Sequence, residues 1–128
     1  MDHTHLEFLA DFPRGHGEAG REVMDRLMSA MRHAGFEAGG PVAEDWGWAC
    51  TLSAEGGSLT LGCGAYAEYE DGWLCFVEGG KGMPSGAAMA LRQKAVRVMH
   101  GAIAGDPRCR DLKWWTDDTG VGPLVDAA

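Results

Sequence analysis

The sequence predicts an α+β fold: a two-layer α/β sandwich in the order β-α-β-β-β-α-β, with two helices on one face of a mostly antiparallel five-stranded sheet. Three observations predict it. Two stretches, around Met24 to Met31 and Ala88 to Ile103, carry apolar residues at helical spacing. Between them, three consecutive runs alternate apolar with small or polar residues and are separated by glycine-containing turns. Helices with one apolar stripe need a surface to cover, and a sheet with one apolar face supplies it. At 128 residues, with 45% hydrophobic and 23% charged, the chain has the size and composition of one globular domain.

The run from His5 to Phe12 sets Leu6, Phe8, Ala10 and Phe12 on one strand face, and Pro13 ends it. From Glu18 to Ala34, Met24, Leu27, Met28 and Met31 form a helical stripe, with Arg21, Glu22, Asp25, Arg26 and Arg32 on the other side. Gly35 is a natural stop for that helix, and Gly39-Gly40-Pro41 makes a turn. Trp46 to Ser53 then points Trp46, Trp48, Cys50 and Leu52 one way. A four-residue loop, Ala54-Glu55-Gly56-Gly57, leads to Ser58 to Ala65, which alternates through Leu59, Leu61, Cys63 and Ala65. Closing that loop opposes Leu52 to Leu59, Cys50 to Leu61, Trp48 to Cys63 and Trp46 to Ala65, so both apolar sets share a face. Asp71-Gly72 signals a second hairpin. The strand after it, Gly72 to Val77, has either Leu74 and Phe76 or Trp73, Cys75 and Val77 inward. Gly79 to Gly86 is a glycine-rich loop before the second helix, whose seam is Ala88, Leu91, Ala95, Val98 and Ala102, and Gly105-Asp106-Pro107 stops it. Leu112 to Thr116 is a short last strand. Residues 1–119 are read as the single domain and 120–128 as a flexible tail.

The four cysteines, Cys50, Cys63, Cys75 and Cys109, form no C-x-x-C pair and no zinc spacing with histidine. Met1-Asp2-His3-Thr4-His5 is acidic where a secretion signal is basic, so reduced thiols and a cytoplasmic location are expected. No apolar run reaches the ~20 residues of a membrane span. His3 behind a free amine would bind Cu(II) or Ni(II) in vitro, as any chain with a third-position histidine does; no metal and no cofactor is expected.

Charge is the most informative feature. Nineteen acids oppose eleven Lys and Arg, for a formal net charge of -8, which argues against direct nucleic-acid binding. Residues 33–80 contain eight acids and no Lys or Arg, so this segment alone accounts for the net charge. Its acids stand among Trp46, Trp48, Tyr66, Tyr69 and Trp73. Aromatic anchors amid one sign of charge suit an interface that draws in a basic partner. The expected function is a small acidic, non-enzymatic binding protein engaging a basic protein surface through Glu44, Asp45, Glu68, Tyr69, Glu70, Asp71 and Trp73. In size and charge the chain is similar to small acidic inhibitors, such as immunity proteins that neutralise a nuclease toxin; the likeness covers no motif.

The alternative expectation is a small-molecule or anion-binding domain, an enzyme among its forms, built on Gly80, Lys81, Gly82, Ser85 and Arg92. Backbone N–H groups ahead of a helix N-terminus favour anions. Yet the G-x-x-x-x-G-K-[ST] phosphate loop and the G-x-G-x-x-G fingerprint are both absent. The carboxylate pairs Glu44-Asp45 and Asp117-Asp118 come with no hydrolase or metalloprotease motif, so no catalytic residue is assigned.

Overall fold

The computed structural model describes residues 4–11, 20–65, 72–80 and 82–115. Its elements are β1 (His5–Leu9), α1 (Arg21–His33), β2 (Glu37–Ala38), β3 (Val42–Glu44), β4 (Gly47–Ala54), β5 (Gly57–Ala65), β6 (Gly72–Gly79), α2 (Ser85–Ala104) and β7 (Arg110–Trp115). The strands form one antiparallel sheet in the order β2-β4-β5-β6-β1-β7, with β3 also paired to β4. The expected five-stranded sheet is therefore corrected to seven strands. The two extra strands flank the Gly39-Gly40-Pro41 turn and pair with opposite ends of β4, β2 through Ser53 and Leu52, β3 through Ala49 to Gly47. At two and three residues they are too short to show any periodicity, so the sequence displays only the turn between them.

The central hairpin has the expected register: Leu52 opposes Leu59, Cys50 opposes Leu61 and Trp48 opposes Cys63. Its loop is tighter than expected. Ala54 pairs with Gly57, leaving Glu55 and Gly56 as a two-residue turn with φ of 54° and 77°. Two successive left-handed residues match the twist of the flanking strands. Lengthening each strand by one residue preserves every pairing already made.

Both helices bury their stripes against the same sheet face. α1 contributes Val23, Met24, Leu27, Met28 and Met31, and α2 contributes Leu91, Ala95, Val96, Met99 and Ile103. The helices touch each other, α1 lying over β2, β4 and β5 and α2 over β5 and β6. From β6 it is Trp73, Cys75 and Val77 that enter this core, beside Leu6 and Phe8 of β1 and Trp114 of β7. The two buried indoles keep their N–H groups satisfied: Trp73 donates to the Ala10 carbonyl at 2.9 Å and Trp114 to His100 Nδ1 at 3.2 Å. Asp106, just past α2, accepts from Arg108 and meets Arg26 of α1, tying the end of one helix to the side of the other.

Candidate functional site

Once Trp73, Cys75 and Val77 face the helices, strand alternation sends Leu74, Phe76 and Glu78 to the opposite face. Among the described residues no helix covers that face. Register carries Gly62 and Gly64 of β5 there too, opposite Phe76 and Leu74. A Cβ on Gly62 would strike the Phe76 ring, and one on Gly64 would strike the Trp46 carbonyl oxygen. The two glycines thus form a furrow in which Phe76 lies flat and across which the Trp46 peptide passes. Trp46 sits in the turn between β3 and β4 and is 47% exposed.

Three rings follow in a row across this face. The Trp46 and Phe76 centroids are 5.2 Å apart at 49°, and His5 of β1 stacks on Phe76 at 5.3 Å and 17°. Thr4 Oγ1 lies 2.9 Å from His5 Nδ1 and helps fix the imidazole. With Gly64, Ala65, Leu74 and Glu78 the rings line an open pocket of about 430 Å³. Val42 of β3, 58% exposed, extends the apolar surface toward the sheet edge.

Carboxylates surround the row. Glu78 lines the pocket itself. Glu44 and Asp45 adjoin Trp46 in the turn, and Glu37 stands on the same face at the edge; all are exposed. Glu7 is different: only 5% exposed, it lies across from Leu74, two residues from His5 on the same side of β1. No hydrogen bond or ion pair to Glu7 is formed among the described residues. From β2 to β6 this face carries no Lys or Arg, since residues 33–80 have none. The first base in register is Lys113 of β7, opposite Glu7.

The residues expected to bind a partner are only partly brought together. Glu44 and Asp45 do stand exposed beside the ring row. Glu68, Tyr69, Glu70 and Asp71 lie outside the described residues. Trp73 is corrected: it is wholly buried in the core and offers a partner no surface. Trp46 is the converse correction, because its expected pairing with Ala65 does not form. Gly47, at φ 153° with its Cα side against Cys63 and Gly64, lets the chain cross to the open face at that point. Phe76 and His5, missed as site residues, carried one signal. Two glycines spaced two apart in a strand mark a close approach by something else.

The loop alternative finds less support in the geometry. The Gly80 amide donates to the Ser58 carbonyl at 3.0 Å, and Arg92 Nη1 donates to the Gly79 carbonyl at 2.9 Å. Gly79, Gly80 and Gly82 adopt φ of 113°, 88° and 86°, a conformation glycine needs to turn the chain from β6 into α2. Ser85 begins α2 and makes no side-chain cap. Lys81 lies outside the described residues. The Gly80 amide is thus taken up by the β5 backbone, and Arg92 holds the carbonyl at the end of β6.

The four cysteines are free thiols. Cys63 and Cys75 oppose each other across β5 and β6 with sulfurs 3.0 Å apart. Burial, then the Cys63 contact, pushes the Cys75 thiol up; burial raises Cys50, and burial with nearby Asp106 raises Cys109 to about 11. None of these three is poised as a thiolate nucleophile. Among the described residues no His, Cys, Asp or Glu side chains gather as a metal site, and no helix is long and apolar enough to cross a membrane. Compared with known protein families and curated proteins, the chain matches none.

Proposed function

We propose that this protein is a non-enzymatic binding module whose open sheet face engages a basic surface on another protein. One observation carries the reading. The face left uncovered by the helices combines the exposed Trp46 and Val42 and the half-buried Phe76 with the carboxylates Glu37, Glu44, Asp45 and Glu78. Ordinary sheet faces in water are polar, and an apolar patch rimmed by polar groups marks an interaction site. The acids steer a cationic partner toward it, and the rings supply area that stays rigid on binding. A role as an inhibitor of a basic protein, including a nuclease, fits this polarity, and direct contact with nucleic acid does not.

Charge reversal tests it. Glu44→Lys with Asp45→Lys changes the net charge by the same amount as Lys placed at Ser29, His33, Gln93 and Ala104, exposed positions on the helical side. Binding to a basic protein captured from the native cell should weaken and lose its salt sensitivity in the first variant only. Equal weakening in both would reduce the effect to net charge, and normal binding by the first would remove the open face from the interface.

A further inference from the structure

We propose that the ring pocket of the open face is a socket for one cationic side chain, Lys or Arg, projecting from the basic partner. The proposal rests on the open face being the partner surface and says what enters it.

The rings of Trp46 and Phe76, with His5 stacked beyond, present π surface to the pocket, and Leu74 supplies apolar wall. The face of an aromatic ring is electrically negative, so it attracts a cation within ~6 Å of its centre. Glu78 lines the same pocket, and no Lys or Arg of the described residues does. Lys and Arg are also the side chains whose shape fits both features: an aliphatic stem to lie along Leu74 and the rings, and a charged head for Glu78. At about 430 Å³ the open pocket has room for such a side chain.

Glu7 is a second, independent pointer. It is 5% exposed on this same sheet face, beside two residues that line the pocket, yet pairs with nothing among the described residues. A buried carboxylate without a partner is costly, and a cation arriving next to it offsets that cost. An anionic guest would be repelled by Glu78 and Glu7, and a neutral apolar one would gain nothing from either. The glycines complete the logic: only with Gly62 and Gly64 bare can Phe76 lie flat and Trp46 reach it.

The test is titration of the full chain, followed by the ¹H–¹⁵N NMR signals of the Trp46 indole and of the Ala65, Leu74 and Phe76 amides. The probes are butylguanidinium, its uncharged isostere butylurea, and a short arginine-rich peptide. Butylguanidinium should shift these signals saturably, butylurea should bind at least about ten times more weakly, and the peptide should bind more tightly than the free cation. Trp46→Ala and Glu78→Gln, both at exposed positions, should each weaken the cation by about 2- to 30-fold while the remaining spectrum stays that of the folded protein. Equal binding of butylurea, or indifference to both substitutions, would overturn the socket. A free cation that outbinds the peptide would overturn the partner side chain as its occupant. Should the peptide or a basic protein still depend on Glu44 and Asp45 while the ring pocket is silent, the socket fails and the open-face reading survives; loss of both removes the two together.

Discussion

Asp106→Asn should destabilise the protein by about 1–2 kcal/mol at neutral pH, and the loss should vanish in acid. Asp106 Oδ1 accepts the Arg108 backbone N–H at 2.9 Å and its Nε at 3.2 Å, while Oδ2 accepts Nη2 at 2.9 Å and meets Arg26 Nη1 at 3.2 Å. Arg108 reaches on to Glu22 of α1 at 2.8 Å, so one buried carboxylate organises the join between α1 and the end of α2. The Arg108 hydrogen bond, opposed by burial and helped by Arg26, holds the Asp106 carboxyl down from 3.8 to about 2. At 1.36 kcal/mol per unit that shift is worth about 2 kcal/mol. Both arginines are nearly half exposed, and water screening lowers the figure. The folded-state value is depressed, so the stabilisation is complete above the unfolded value near 3.8 and is lost as pH falls through about 2. By about pH 2.5 roughly two-thirds of the difference between the native protein and the Asn variant should be gone. Urea unfolding of both proteins from pH 7 down to pH 2.5 measures it, because other carboxylates titrate alike in the pair. A difference below about 0.5 kcal/mol at pH 7, or one that does not shrink in acid, refutes the reasoning.

Three further outcomes are expected. Leu27→Ala and Leu91→Ala, at 0% and 3% exposure, should each cost about 2–5 kcal/mol in urea unfolding; a loss under about 0.5 kcal/mol would mean the helix faces are wrong. All four thiols should titrate in denaturant without reductant, whereas in the native protein Cys50, Cys63 and Cys75 should be protected and Cys109 should react slowly. A denatured count of two or fewer would show disulfides instead. Gly64→Ala should cost more than Gly62→Ala, because the first drives a Cβ into the Trp46 backbone and the second into a ring that can swing away. Overpacking runs at ~1–3 kcal/mol, with Gly62 expected below that range and Gly64 at or above its top. The opposite order would mean the Trp46 peptide does not lie over Gly64.

The parts of the fold legible in the sequence are those where one chemical contrast repeats often enough to fix a period. Met24, Leu27, Met28 and Met31 define α1 whatever the tertiary context, and the alternation of Trp48, Cys50 and Leu52 against Leu59, Leu61 and Cys63 fixes the β4–β5 register. Where the contrast fails, so does the reading. In β6 every residue from Trp73 to Val77 is apolar, and both faces look equally suited to the core. What decides is the neighbouring strand: Gly62 and Gly64 leave room for Phe76 on the open side, and Cys63 opposes Cys75 on the inner side. That information lies across strands, in pairings a linear period does not contain. β2 and β3 fail for a simpler reason, since two or three residues complete no period.

The same argument explains why the acidic character of the site was legible while its aromatic members were not. Most acids stay at the surface wherever the chain runs, so a segment holding eight of them and no Lys or Arg makes an acidic surface in almost any fold. A tryptophan serves core and interface equally well, and one shift of register exchanges the roles. Trp73 is wholly buried because β6 turns it toward the helices, whereas Trp46 is nearly half exposed because the chain crosses to the open face at Gly47. A sheet covered on one side is stable with a polar outer face, and β4 and β5 follow that rule through Thr51, Ser53, Ser58 and Thr60. Among the described residues the rule breaks along a band that runs from Leu9 of β1 through Leu74 and Phe76 of β6 to the Trp46 turn and Val42. Placing rings there brings no helix contact and exposes apolar surface, and Gly62 and Gly64 add backbone freedom that weakens a strand. Sequences that depart from their own fold's rules in one confined place tend to do so where function is served, and here the departure coincides with a buried carboxylate, Glu7, that forms no hydrogen bond or ion pair among the described residues. The rings, the glycines beneath them and the carboxylate beside them are the features on which the proposed recognition surface for positive charge rests.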